Sequence, residues 1–345
     1  MFSRRLGAAC AVFCGVAAGF AASAQADAIA DFYKGKQVAV IVPFGAGGGY
    51  ALYTQIVTRH LPKFVPGNPT MVPQYMPGAG GVKAANYVFN VAPKDGSVIS
   101  MVSDSVVLAA VISPKNVKYR VNEFTWIGTM ERVNNVLAIR ADTGVKTVAD
   151  LAKAEAVVGS SGRGSPTYLL PSLVRWLAPE SKIKIVQGYK GINPMFLAIE
   201  QGELNGVTVS WTVFKSLRGP WFKDGFANAV VQFGTRREPD LPDVPLAIEI
   251  AKTDQQKAVA RFMASNAEIG RSFVVPPGVP GARIEALRAG FDRMVQDPAF
   301  KEEAVKNGVQ LTPATGANVQ QAVKEASAIS PELAELVRTA IFGAN

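Results

Sequence analysis

The sequence predicts an α/β protein of two lobes, each a mainly parallel sheet flanked by helices. Three observations lead there. Short apolar runs alternate with helical stretches from Gln37 to Phe233, the rhythm of strand–helix–strand units. The chain has 345 residues, more than one ordinary lobe needs. After Phe273–Val275 the pattern turns wholly helical.

In chain order, Gln37–Val42 is a continuous apolar run that suits a buried parallel strand. Tyr50–Phe64 carries Leu52, Ile56 and Leu61 at nearly helical spacing, and Thr70–Met76 reads as a second strand. Lys83–Ala92 reads as a helix, Pro93-Lys94-Asp95-Gly96 as a turn and Ser97–Val102 as a third strand. Strands resume at Val136–Arg140, Ala156–Gly159, Ile183–Gln187, Val207–Trp211 and Ala229–Phe233. Between them fall helices at Thr147–Lys153, with Thr147 as N-cap, Thr167–Leu177 and Pro194–Gln201. Pro280–Gln296, Ala299–Asn307, Asn318–Ser327 and Pro331–Phe342 complete the chain as helices.

The first residues read as an address. Arg4 and Arg5 precede an apolar run from Leu6 to Ala22, and small residues offer cleavage after Ala24 or Ala26. This is the order of a secretory signal peptide, and the run is too short and too rich in Ala and Gly for a membrane anchor. Cys10 and Cys14 both lie inside it, and neither sits in a lipobox. The mature chain then has no disulfide, thiol nucleophile or thiolate metal site, and about 320 residues need no such staple. The formal charge of +9 falls to about +7 once Arg4 and Arg5 are gone. The basic residues are scattered and lack interleaved aromatic platforms, which argues against nucleic acid and leaves anionic ligands favoured.

The most informative stretch is Val42-Pro43-Phe44-Gly45-Ala46-Gly47-Gly48-Gly49-Tyr50, where a strand runs through glycines straight into a helix. Glycines let the backbone approach a ligand, and a helix start offers unpaired N–H groups and a favourable dipole, so an anion is held without a charged side chain. A tight turn with no ligand is the competing reading. Nucleotide fingerprints do not fit: Tyr50 stands where a third spaced glycine belongs, and no Lys-Ser or Lys-Thr follows. Met76-Pro77-Gly78-Ala79-Gly80-Gly81 has the same character, as does Gly159-Ser160-Ser161-Gly162-Arg163-Gly164-Ser165-Pro166-Thr167, with Ser165 as N-cap and Pro166 at the first helical position. Three such turns across two α/β halves point to a cleft with donors on both walls.

These pieces, with Ala92-Pro93-Lys94-Asp95-Gly96, Tyr189-Lys190-Gly191 and Leu241-Pro242-Asp243-Val244-Pro245, occur in an order that resembles the substrate-binding family of tripartite tricarboxylate transporters, also called the Bug family. The resemblance spans nearly the whole mature chain. It implies a type II periplasmic binding protein fold: a signal peptide at 1–26, lobe 1 at 27–127, lobe 2 at 128–249, and a helical return to lobe 1 at 250–345. It implies a periplasmic monomer, with no cofactor, that captures a small organic carboxylate and delivers it to membrane transport subunits. A sensory protein reporting to a membrane sensor would share these features, and an exported hydrolase is a remote alternative. The implied ligand donors are the backbone of Phe44, Gly45, Ala46, Gly47, Gly48 and Gly49, and of Ala79, Gly80 and Gly81. Ser161, Gly164, Ser165 and Tyr189 would close from lobe 2, and Ser103 and Asp104 would border the cleft.

Departures from the family pattern bear on the ligand. Many relatives read Gly-Gly-Gly-Thr-Asp where this chain has Tyr50-Ala51; Ala51 cannot meet a ligand amino group as that aspartate can. Tyr50 either stacks on or narrows the pocket, or packs at the helix start. Trp211 either walls the pocket or belongs to the core. His60 is the lone histidine and sits inside a helix, so no transition-metal site is expected. Gly162-Arg163-Gly164-Ser165-Pro166 does not fit a nucleophile elbow, and no Ser–His–Asp triad is evident. The expected activity is binding, not catalysis.

Overall fold

The structure, a computed structural model, describes residues 27–343, so the segment read as a signal peptide lies outside the described residues. Helix α1 (27–33) leads into β1 (Gln37–Val42) and α2 (Gly49–His60), followed by β2 (Thr70–Tyr75), α3 (Val82–Asn90), β3 (Val98–Met101), α4 (Val106–Ile112) and β4 (Thr125–Thr129). The chain then builds β5 (Asn135–Arg140), β6 (Ala156–Ser160), α5 (Pro166–Leu177), β7 (Ile183–Gln187), α6 (Ile192–Glu200), β8 (Gly206–Ser210), α7 (Trp211–Lys223) and β9 (Ala227–Gln232). After α8 (Ala247–Ile250) and α9 (Asp254–Ala264) come β10 (Ser272–Val275), α10 (Gly281–Met294), α11 (Pro298–Lys306), β11 (Ala314–Thr315), α12 (Gly316–Ser327) and α13 (Pro331–Phe342).

Among the described residues these strands form two sheets, a six-stranded one in the order β11-β4-β10-β3-β1-β2 and a five-stranded one in the order β7-β6-β8-β5-β9. Each sheet centres one lobe, and its strands bury both faces. Val38, Val40, Ile99, Met101, Phe273 and Val275 face one core of the first lobe, while Ile41, Val98 and Val274 face the other. In the second lobe Leu137 and Ile139 turn to one core and Val136 and Ala138 to the other. That period of two on strands apolar on both sides is what the continuous hydrophobic runs encode.

The sheets are mixed rather than mainly parallel. β1 runs parallel to β2 and β3, whereas β10 and β4 pair antiparallel; β6 is parallel to β7 and β8, whereas β5 is antiparallel to β8 and β9. The antiparallel members flank the crossings between lobes: the chain leaves along β4, enters the second lobe on β5, leaves it after β9 and returns on β10. The first two crossing segments lie side by side, with Arg271 N–H donating to Glu131 O at 2.9 Å and Val133 N–H to Ala267 O at 2.9 Å. Gly270, at φ +53°, permits that approach, because a Cβ there would stand 1.8 Å from Glu131 O.

Several elements differ from the sequence reading. Trp211 does not end a strand but opens α7, whose first turn is capped by Ser210 Oγ accepting from Val213 N–H. Gly219-Pro220 disguised this helix; the proline is accommodated beside a kink at Arg218. The helical C-terminal part is shared between lobes. α10 and α12 pack on the first sheet, while Val259, Phe262 and Met263 of α9 and Val337, Ala340 and Ile341 of α13 join a core of the second lobe. An amphipathic helix pattern shows which face is buried but not which sheet receives it.

Candidate functional site

The lobes meet along a seam of glycine-rich turns. Gly45 N–H donates to Lys190 O at 2.9 Å, so the turn after β1 touches the Tyr189-Lys190-Gly191 loop directly. A Cβ on Gly49 would lie 2.4 Å from Val213 Cγ2, and one on Gly80 would lie 2.3 Å from Ser165 N. Gly80 also has φ +67°, so both its conformation and its surroundings demand glycine. Ser105 Oγ donates to Gly164 O at 2.7 Å across the same seam.

Between the turns lies a cavity of about 60 Å³. Of the residues expected from the sequence, Phe44, Gly45, Gly48, Gly49, Tyr50, Asp104, Ser161 and Ser165 line it. The open first turns of α2 and α6, neither with a side-chain cap, bring Gly48, Gly49, Gly191 and Ile192 to its wall. Ser165 occupies the N-cap position of α5, as expected, with Pro166 at the first helical position. Its hydroxyl does not cap the helix; it reaches Gly162 O and Thr167 Oγ1 at 2.9 and 2.5 Å, and Thr167 Oγ1 also accepts from Ser161 N–H at 3.0 Å. Ser161, Ser165 and Thr167 thereby form one hydroxyl cluster on the cavity wall.

The other expected residues stand elsewhere. Ala46 and Gly47 belong to the turn but not to the cavity lining, and Gly47 abuts Asn193 of α6. Ala79, Gly80 and Gly164 form the seam itself, where backbone packs on backbone, and Gly81 packs against Ser103 and Pro43 within the first lobe; none of the four lines the cavity. Ser103 is buried behind the wall, its Oγ 2.9 Å from Ser105 Oγ. Tyr189 packs on a second-lobe core. Trp211 does not wall the cavity: its ring packs against Phe222 at 4.7 Å and its Nε1–H donates to Asp240 at 3.1 Å.

Sequence reasoning brought Tyr50 and Asp104 to the cleft but missed Arg271 and Asn135, which complete its charged floor. Arg271, at the foot of β10, is 2 % exposed and lines the cavity with Tyr50, Asp104 and Asn135. Its Nη2 donates to Ser210 Oγ at 3.0 Å, its Nη1 stands 3.6 Å from Asp104 Oδ2, and its guanidinium lies 4.4 Å from the Tyr50 ring centroid. Tyr50 OH donates to Asp104 Oδ1 at 3.0 Å and accepts from Asp104 N–H at 3.1 Å, while Asn135 Nδ2 donates to Asp104 Oδ2 at 3.2 Å. Tyr50 thus both lines the cavity and is locked at the helix start, its phenol pushed above its ordinary range by burial and then by Asp104. Burial works to lower the pKa of Arg271, but the charges of Tyr50, Asp104 and Glu131 outweigh it and the net direction is upward. Glu131, on the first crossing segment, accepts from Thr212 Oγ1 at 2.5 Å and from the Tyr53 hydroxyl. Burial pushes its carboxyl up to about 7, against the opposing pull of Arg271 and Thr212. Adjacent sequence offers no signal for this cluster, because its members come from five separate segments.

Among the described residues no group of three or more His, Cys, Asp or Glu is placed to hold a metal, and no helix is long and apolar enough to cross a membrane. Two lobes joined by crossing segments, closed over a cavity of helix N-termini and hydroxyls, define a solute-binding protein of the periplasmic kind. The chain belongs to the family described as "Tripartite tricarboxylate transporter family receptor", whose model matches residues 66–337. It is 24% identical to a UPF0065 protein of Bordetella pertussis over 83% of this chain and 85% of that one. A UPF0065 protein of a Pseudomonas species is 21% identical over 87% and 85% of the respective chains. Among solved structures it is similar to the periplasmic binding protein BugD (TM-score 0.70, 20% identity, 89% of this chain and 98% of that one). MatC from Rhodopseudomonas palustris, solved with bound malate, gives a TM-score of 0.68 at 20% identity over 88% and 99%. An R. palustris protein solved with adipate gives 0.64 at 20% identity over 88% and 97%.

Proposed function

We propose that this protein, exported to the periplasm, captures a small organic carboxylate between its lobes and hands it to the membrane subunits of a tripartite transporter. The observation that carries the reading is the convergence of the open first turns of α2 and α6 with the Ser161, Ser165 and Thr167 hydroxyls on one cavity. Such donors solvate an anion in place of water at no cost in reorganisation. Malate and adipate in two structurally similar proteins support the same ligand class. The protein acts by binding: the lobes swing on the crossing segments, the ligand favours the closed form, and that form is what a membrane partner recognises.

The test is a thermal-shift screen of the chain without residues 1–26 against mono-, di-, tri- and aromatic carboxylates, with amino acids and sugars as controls. A ligand at about 100 times its dissociation constant stabilises the folded form by roughly 2.7 kcal/mol, a shift of several degrees. A response confined to one carboxylate class supports the reading. A flat response to every carboxylate, with a shift from a neutral solute or from nothing, overturns it.

A further inference from the structure

The outer edge of the seam carries charge of one sign. Lys83, Arg163 and Lys190 are exposed, and none of them makes an ion pair among the described residues. Each stands at a contact between the lobes. Lys190 O accepts from Gly45 N–H at 2.9 Å. Arg163 lies between Gly162 and Gly164, where a Cβ would come within 3.0 Å of Gly80 N and 2.8 Å of Ala79 O. Lys83 follows Val82, which packs on Gly164, and its side chain covers Gly78. Acid is nearly absent from the segments that make these contacts: residues 32–94 contain no Asp or Glu, and 156–199 contain Glu180 alone. Glu180 lies beyond the far end of α5, whose first turn faces the seam.

The same segments expose apolar side chains. Tyr75, Val186 and Leu197 are 39, 42 and 52 % exposed. Tyr75 ends β2 and Val186 lies near the end of β7, the outermost strands of their sheets. Leu197 is one turn of α6 beyond Asn193, which meets Gly47 across the seam. A field that only draws in an anionic solute needs no apolar surface, whereas a protein contact uses both.

We propose that this edge is the docking face for an acidic surface on the membrane transport subunits. Lys83 belongs to the first lobe and Arg163 and Lys190 to the second, so the three cations form one surface only while the lobes are closed. An acidic partner bridging them gains its full attraction from the closed form, and opening of the lobes divides the face. The inference rests on the reading of the protein as the trap of a transporter and adds where, and by which charges, delivery is made.

The test is uptake of labelled butyrate, succinate, malate, adipate, citrate and benzoate by the source cells, with and without the gene. The acid whose uptake needs the gene then serves as cargo for the variants. Lys83→Glu with Arg163→Glu and Lys190→Glu is expected to cut that uptake at least tenfold, because like charges then face each other across the contact. Calorimetry of the purified variant with the same acid is expected to give an affinity within about twofold of wild type. Lys83→Gln with Lys190→Gln, a milder change, is expected to lower uptake about threefold. Lys83→Arg with Arg163→Lys and Lys190→Arg keeps the charges and most of the uptake. Circular dichroism and periplasmic protein level are checked for each variant. Undiminished uptake by the folded charge-reversed protein overturns the docking face while the transport reading stands. A matching loss of ligand affinity or ligand association rate overturns it too, making the cations a funnel for the ligand. Uptake of every acid unaffected by loss of the gene overturns the transport reading and the inference with it.

Discussion

The seam and the floor of the cleft are built on opposite principles. The seam is made of glycines packed so tightly that no side chain fits at them: Gly45 and Gly80 meet the backbone of Lys190 and of Gly164–Ser165, while Gly47, Gly48 and Gly49 meet the side chains of Asn193, Ile192 and Val213. The floor is side chain against side chain: Tyr50, Asp104, Glu131, Asn135, Ser210 and Arg271 interlock beneath the cavity. In the proposed reading, the seam limits how far the lobes close and the floor sets what charge the cavity tolerates. Steric damage to the seam should therefore appear in ligand affinity, and electrical damage to the floor should appear first in stability.

The largest effect is expected at the floor. Arg271→Met alone leaves Asp104 buried without its counter-charge and should cost about 3–5 kcal/mol in denaturant unfolding, much of it restored by adding Asp104→Asn. An unchanged midpoint would mean that the floor is solvated and not a buried charge pair.

Glu131 gives a pH signature of similar size. Its carboxyl titrates near 7 in the folded chain and at 4.5 when unperturbed, so between those values the folded state binds more protons than the unfolded one. Stability from this group is complete below about 4.5 and is lost as pH rises to about 7, in total roughly 3 kcal/mol. Glu131→Gln should flatten the fall in melting temperature between pH 5 and pH 8. A slope that survives the substitution would place the titration elsewhere.

At the seam, Gly80→Val should leave circular dichroism nearly unchanged while obstructing closure at Ser165. If the closed form drops to about one part in a hundred, apparent affinity for the wild-type ligand falls about 100-fold. Unchanged affinity would show that Ala79–Gly81 does not bear on closure. The smallest effect belongs to Ser105→Ala, which removes the hydroxyl donated to Gly164 O and should weaken ligand binding by about 1 kcal/mol, read by calorimetry.

Much of the fold was legible because it is written in local period. The runs at Gln37–Val42 and Ile183–Gln187, and the helix Pro331–Phe342, appear with the same bounds in the structure. The uncharged lining of the cavity was legible for a related reason: a glycine run between strand and helix states its geometry in neighbouring residues, and Gly45, Gly48, Gly49, Ser161 and Ser165 line the cavity. Trp211 went the other way, because an aromatic residue after a strand looks the same whether it faces a ligand or, as here, Phe222.

By itself the sequence determined the α/β character, the glycine turns that the seam requires, and the anion-friendly helix starts. These depend on φ, periodicity and capping, each decided within a few residues. Only the tertiary structure decided that α9 and α13 pack with the second lobe, that Ala79 and Gly80 are seam and not cavity, and that Arg271 lines the cavity beside Asp104. Those depend on which distant surfaces exclude water together. The 166 residues of sequence between Asp104 and Arg271 carry no local mark of a contact made only when β10 returns to the first sheet.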